Sequence, residues 1–161
     1  MAVDIFLKLN KIKGESKGKD HIEEIDVLSW SWGMSQSGTT HLGSGAGSGK
    51  VNVQDLSITK YVDKASADLM KFCCNGDHIE SGKITVRKAS GAKPIDYLTI
   101  ELKEIIVAAV TTGGIGSDDR MTENVTLNFG HFKLKYTQQN DDGSEGAKPE
   151  VQWDIPLNAE G

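Results

Sequence analysis

The run Gly43–Lys50, GSGAGSGK, is the part of this 161-residue chain that comes nearest to a chemical motif. A phosphate loop needs glycine at its first position, so that successive backbone N–H groups can cradle the anion, and Ser or Thr after its lysine. Ser44 and Val51 stand at those positions instead. A dinucleotide fingerprint fails as well: counted from Gly43 its third glycine falls on Ser48, and counted from Gly45 it falls on Lys50. A nucleophile elbow is also missing, because GAGSG at Gly45–Gly49 puts Gly47 where the nucleophile should stand. The histidines His21, His41, His78 and His131 are scattered, with no HxH or HxxxH pair to seed a zinc site. Asp118–Asp119 and Asp141–Asp142 lack the alternation of a calcium loop. Cys73 and Cys74 are adjacent and read as one core thiol and one at its margin, which suits folding in a reducing compartment. No catalytic, cofactor-binding or metal-ligating set emerges, so the expectation is a protein that is not an enzyme and takes no cofactor.

Trp30 and Trp32 would make a sugar platform if they were exposed. Their parity with Leu28 and Met34 places them on the core side of a strand, with Ser29 and Ser31 on the outer side. Small hydroxyl residues there suit a wet surface or the wall of a channel. The same alternation recurs at Val3, Ile5, Leu7 and Leu9, at Leu98, Ile100 and Leu102, at Val125, Leu127 and Phe129, and at Val151, Trp153 and Ile155. Six or seven such strands in one chain are the pattern of a sandwich or barrel. Two phase slips, near Gly130–His131 and between Val53 and Leu56, predict β-bulges in long curling strands.

In the segment Ile105–Val110, β-branched residues favour strand. Continuing the parity of Ile100 and Leu102 puts Ile106, Ala108 and Val110 on the core face. Ile105, Val107 and Ala109 then form a second apolar face that something else must cover. One helix is predicted over Ser66–Asn75, with Ser66 as its cap, Asp68 near its positive end and Gly76 as its terminator. The resulting fold class is mainly β: a closed β-barrel of two sheets with one flanking α-helix and long loops, in a single domain spanning 1–161.

Composition narrows the function classes. Eighteen glycines gather in loops between the strands, and 23 acidic against 18 basic residues give a net charge of −5. No basic face for nucleic acid is visible. The longest apolar run, Ile105–Val110, falls far short of the roughly 20 residues that span a bilayer. MAVDIFLKLN has neither the basic flank nor the apolar run of a signal peptide.

Several stretches resemble the haemolysin-coregulated protein (Hcp) family of bacterial type VI secretion. They are AVDIFLKL, EEIDVLSWSWGMSQSGT, GKVNVQDLSITKYVDKAS, LTIELKEIIVAAVTTGG and ENVTLNFGHFKLKY, in that order. The resemblance implies a β-barrel protomer in six-membered rings that stack into a tube carrying small effector proteins in its lumen. It implies as partners other copies of the chain, a VgrG-like spike and a contractile sheath. It also implies residence in the bacterial cytoplasm before firing, followed by secretion without a signal peptide. On the Trp parity together with this family picture, Ser31 and Ser29 are expected to face the lumen. The apolar set Ile105, Val107 and Ala109 is expected at the subunit interface, and Thr40, His41, Ser44, Ser90 and Lys93 in loops that contact the next ring. The competing reading is a carbohydrate- or protein-binding β-sandwich module without catalysis.

Overall fold

A computed structural model describes residues 3–38, 49–88 and 93–161. The strands are β1 (Val3–Leu9), β2 (Ile25–Asp26), β3 (Ser29–Ser31), β4 (Met34–Ser35), β5 (Asn52–Val53) and β6 (Leu56–Tyr61). After the helix α1 (Ser66–Asn75) come β7 (Ile79–Lys88), β8 (Ile95–Gly113), β9 (Thr122–Asn128), β10 (His131–Tyr136), β11 (Glu150–Asp154) and β12 (Ala159–Glu160). One sheet runs β12–β11–β10–β8–β7–β1–β2, a second runs β3–β6–β9–β8, and β4–β5 form a separate ribbon. Every named pair is antiparallel.

Strand β8 belongs to both sheets. Its first part pairs with β7 and β10, and from Ile106 onward it pairs with β9. The turn between the two parts sits at Glu104, a non-glycine residue with φ of 55°. That left-handed residue shifts the side-chain phase by one position, so Ile105 and Val107 point inward after Ile100 and Leu102. A second irregularity between Val107 and Ala109 shifts the phase back, and Val110 packs against the core again. The expected parity of this segment is therefore corrected. Ile105 and Val107 are 0% and 2% exposed, and only Ala109 of the supposed outer set is open to solvent.

The other two phase slips are strand ends rather than bulges. Strand β9 stops at Asn128, and the chain crosses through Phe129–Gly130 to the other sheet before β10 begins. Strands β5 and β6 likewise have different partners. The sheets also fall short of the closed barrel expected from the sequence. At the corner opposite β8 they are linked by the chain between β2 and β3 and by two backbone bonds. These are Val27 N–H to the Ile5 carbonyl at 3.0 Å and Leu28 N–H to the Thr59 carbonyl at 2.8 Å. No ladder closes a cylinder among the described residues.

Helix α1 spans the predicted residues and ends as expected at Gly76, whose φ of 71° is a conformation open to glycine and whose N–H bonds the Phe72 carbonyl. Its start differs. Ala65 holds the cap position, and the Asp63 carboxylate accepts the Ala65 N–H at 2.9 Å. Ser66 turns inward, donating its hydroxyl to Glu123 at 2.6 Å. Glu123 faces Lys60 across β6 and β9, and the two form an ion pair with both residues at 0% exposure. The Lys60 ammonium also reaches Asp63 at 2.9 Å, so one buried cation ties the second sheet to the start of the helix.

The chain between β1 and β2 sends Ile12 into the core and lays its Gly18–His21 turn over the outer side of the first sheet. His21 stacks on Phe6 at 4.3 Å with nearly parallel rings. Arg87 fastens the excursion by donating to the Lys19 carbonyl at 2.8 Å and to Asp96 at 2.7 Å.

Removing one partner of a buried pair leaves the other charge without compensation, which costs about 3–5 kcal/mol, whereas replacing both by apolar groups is often close to neutral. Lys60→Met is therefore expected to lower the unfolding free energy by about that amount, and Lys60→Met/Glu123→Leu by much less. Chemical denaturation followed by tryptophan fluorescence measures both. Equal losses in the single and double variants would show that packing volume, not charge, carries the effect.

Candidate functional surface

Alternation along the second sheet sorts its side chains into two unlike faces. Trp30, Ile58, Leu56, Val125 and Leu127 turn toward the core. The outer face is built in cross-strand rows. One row runs Ser31, Ser57, Thr126 and Ala109, and the next runs Ser29, Thr59, Asn124 and Thr111. Within the second row the Thr59 hydroxyl donates to the Asn124 side-chain oxygen at 2.7 Å. At one margin Asn128 donates to Asp55 at 2.8 Å. Neither row contains a charged or a large side chain, although a quarter of the whole chain is charged.

The outer face of the first sheet is the opposite in character. Its rows run Lys83, Glu101, Lys133 and Gln152, and then Thr85, Thr99, Lys135 and Glu150. Lys133 and Glu150 approach to 3.9 Å. Beside them, the Asp96 carboxylate hydrogen-bonded to Arg87 raises the guanidinium above its ordinary pKa. The fold thus presents a mixed-charge outer wall on one sheet and a neutral, hydroxyl-rich wall on the other.

The two rows pair hydroxyl with hydroxyl and amide, without a base among them. The cross-strand neighbours of Ser29, Ser31 and Ser57 are hydroxyls, and none can serve as a base. What the wall offers is a dense set of short donors and acceptors. Among the described residues, no three His, Cys, Asp or Glu side chains converge as metal ligands. His21 and His131 are buried in separate places, the latter hydrogen-bonded to the Gly161 carbonyl at 2.7 Å. Cys73 is half-buried and Cys74 exposed, both as free thiols.

Ser29 and Ser31 lie exposed on the neutral wall, together with Ala109. Trp30 and Trp32 pack against the core as expected. Trp32 meets Phe132 edge-on at 4.8 Å and donates its indole N–H to the Gln54 carbonyl. Leu28 and Met34 share that parity but are about half exposed, because both lie where the sheets are not closed over them. Lys93 is exposed, and Thr40, His41, Ser44 and Ser90 lie outside the described residues. Sequence reading missed Ser57, Thr59, Asn124 and Thr126. Their signal was present as the polar half of the alternation in LSITKY and ENVTLN, and only strand pairing brings them beside Ser31.

The family described as "Type VI secretion system effector, Hcp" matches residues 6–136. The chain belongs to the Hcp family. It is 54% identical over 161 residues to Protein hcp1 of Pseudomonas aeruginosa, with 99% of each chain covered. Among solved structures it superposes on Hcp1 from Salmonella typhimurium with a TM-score of 0.83 at 38% identity, covering 100% of both chains. A second structure, described as a type six secretion system protein, gives a TM-score of 0.92 at 26% identity, covering 99% of this chain and 100% of that one. This Hcp chain is therefore a mainly β type VI secretion protein. None of its described helices is long and apolar enough to cross a membrane.

Substitutions at exposed surface positions away from caps, cores and networks usually change stability by no more than about 0.5 kcal/mol. Ser31→Asp is expected to stay within that range by thermal denaturation, because Ser31 is exposed and its hydroxyl makes no hydrogen bond among the described residues. A large loss would assign the neutrality of the wall to folding rather than to what the wall faces.

Proposed function

We propose that this Hcp chain is a structural tube component of a type VI secretion machine. Its copies form six-membered rings that stack into an expelled tube, and the neutral face of the second sheet lines the lumen where small effector proteins travel. The observation that carries the reading is the contrast between the two outer walls. A lumen that must hold a cargo and then let it go is best lined with groups that bind weakly and without charge selection. A net hydrogen bond contributes only about 0.5–1.5 kcal/mol, so several hydroxyl and amide contacts can retain a folded protein reversibly. The mixed-charge wall suits the outside of the tube, toward water and a contractile sheath.

The finer assignments follow from the same picture. Ser31 and Ser29 face the lumen in one row each, with Ser57 and Thr59 beside them. Lys93, with Thr40, His41, Ser44 and Ser90 in their segments, contacts the neighbouring ring. A VgrG-like spike caps the tube. The chain waits in the bacterial cytoplasm and leaves through the machine itself, without a signal peptide. It acts by assembly and not as an enzyme, and it binds no nucleic acid and inserts in no membrane. A sugar-binding module is disfavoured because Trp30 and Trp32 turn to the core side and leave no aromatic platform in the two neutral rows.

Light scattering after size exclusion is expected to give a species near six times 17.4 kDa at two protein concentrations. A clean 17.4 kDa species at both would count against the ring. Within the ring, a Ser31→Cys variant should still react with a bulky thiol reagent and be shielded only when cargo is bound. Shielding by ring assembly alone would place Ser31 at a subunit contact and remove it from the lumen.

A further inference from the structure

The pairing of β1 with β7 sets Lys8 opposite Lys83 on the outer side of the first sheet. Like charges placed opposite each other on neighbouring strands repel. Neither ammonium has an ion-pair partner among the described residues, although Lys83 is half-buried. Glu101 stands beside Lys83 on β8 without closing to ion-pair distance. Two uncompensated cations are thus held side by side by the register of the sheet, at a cost that nothing in the protomer offsets.

Both lysines line a cavity of about 430 Å³ that follows the outward residues of β7, namely Lys83, Thr85 and Arg87. At about 3.3 Å per residue, that stretch of strand covers roughly 13 Å. Thr85 is buried and forms its uncharged floor. Arg87 is 8% exposed and spends Nε on Asp96 and Nη1 on the Lys19 carbonyl. Its Nη2 makes no hydrogen bond, and the Asp20 carboxylate stands 3.9 Å from it. By formal charge, Lys8, Lys83 and Arg87 meet three carboxylates in the cavity, but the carboxylates are not equally free. Glu24 is engaged by His21 at 2.9 Å and Asp96 by Arg87 at 2.7 Å, while the Asp20 side chain is 70% exposed to water. The groups left unsatisfied are all cationic donors: two ammoniums at one end of the cavity and a guanidinium nitrogen toward the other.

Lysine offers a point charge and arginine a planar fork, and both suit phosphate oxygens. The line of donors is longer than one tetrahedral ion, whereas a chain of condensed phosphates spreads its charge along such a line. We infer that this cavity is a binding site for a linear condensed phosphate, held by Lys8 and Lys83 at one end and by Arg87 Nη2 at the other. The site is complete within one protomer and stands independently of the tube reading.

Isothermal titration calorimetry of the full chain with sodium tripolyphosphate, pyrophosphate, orthophosphate and sulfate tests it. Tripolyphosphate should saturate at one per chain, with affinity falling in that order. Losing one charge-assisted contact weakens binding by about tenfold or more, so Lys83→Gln and Lys8→Gln should each show that loss. Neither substitution should lower the melting temperature, since each removes a repulsion, and Lys8→Gln serves alone if Lys83→Gln fails to fold. Lys133→Gln lies on the same wall outside the cavity and should leave the affinity unchanged. ATP carries the same chain with one end blocked: binding as tight as that of tripolyphosphate would assign the site to a triphosphate chain from either source, and weaker binding to the inorganic chain. No saturable binding by the wild-type chain, or undiminished binding by the Lys8→Gln/Lys83→Gln variant, would overturn the site. Equal weakening by Lys133→Gln would overturn it too, by tracing the binding to the general field of the wall.

Discussion

The strand β8 has to serve two sheets at once, and most of the structure follows from how it does so. Nineteen residues are too long for one edge of a small sheet, so the strand turns a corner at Glu104 and changes partners from β7 and β10 to β9. A turn of that kind changes which side chains point inward. With side chains alternating at every residue, a single shift would send a whole apolar set to solvent. The chain avoids this with two compensating irregularities. The left-handed residue at 104 brings Ile105 and Val107 inward, and the irregularity near Ala108 returns the phase in time for Val110 to meet the core. Ala109 and Thr111 are thereby delivered to the outer face, where they complete the neutral rows begun by Ser31 and Ser29.

That device marks the limit of what the sequence could tell. Strict alternation within each strand was legible: the serines around Trp30 were placed on the outer side, and the helix was bounded at Ser66 and Asn75. Parity within a strand depends only on local geometry, which explains its success. Parity across Glu104 depends on one φ angle that no residue type there announces, since glutamate is not a residue that ordinarily marks a left-handed turn. For the same reason Ile105 and Val107 looked like a second apolar face when they are the continuation of the first. Pairing between distant strands was equally hidden. Nothing local to Ser57 or Thr126 says that they will stand beside Ser31. Ser66 carries the same lesson at smaller scale: a serine at a helix start reads as a cap, but a buried Glu123 from a strand 57 residues away takes its hydroxyl instead.

The buried Lys60–Glu123 pair explains how a neutral wall can rest on a rigid support. Beneath the row that contains Thr59 and Asn124, the next inward position of β6 and β9 holds this ion pair and not a pair of aliphatic residues. Its extra bonds run to Asp63 and Ser66, so sliding β6 against β9 by two residues would strand a charge in the interior. A wholly aliphatic pair would penalise such a slip far less, because apolar packing has no direction. In this fold the directional interaction lies under the face with the least side-chain bulk to lock its own register. Small hydroxyl residues interdigitate poorly, and the strands that carry them are held from below.

The difference in width between the sheets then sets where the molecule is unfinished. Val151 and Trp153 of β11 share the inward parity of Phe132 and Leu134, yet Val151 is 48% exposed, and one more strand on the second sheet would be needed to cover them. Narrowing the first sheet to match would delete β11 and β12 and with them the ladder that covers the other edge of β10. A protomer with an uncovered core-side strip carries an apolar surface that water solvates poorly. The hydrophobic effect that folds each sheet onto the other thus has a remainder, and it is placed at Val151 on the edge of the first sheet. On the tube reading the weakly binding wall toward the cargo belongs to the second sheet and the uncovered strip to the first, so holding a cargo and burying that strip depend on different sheets.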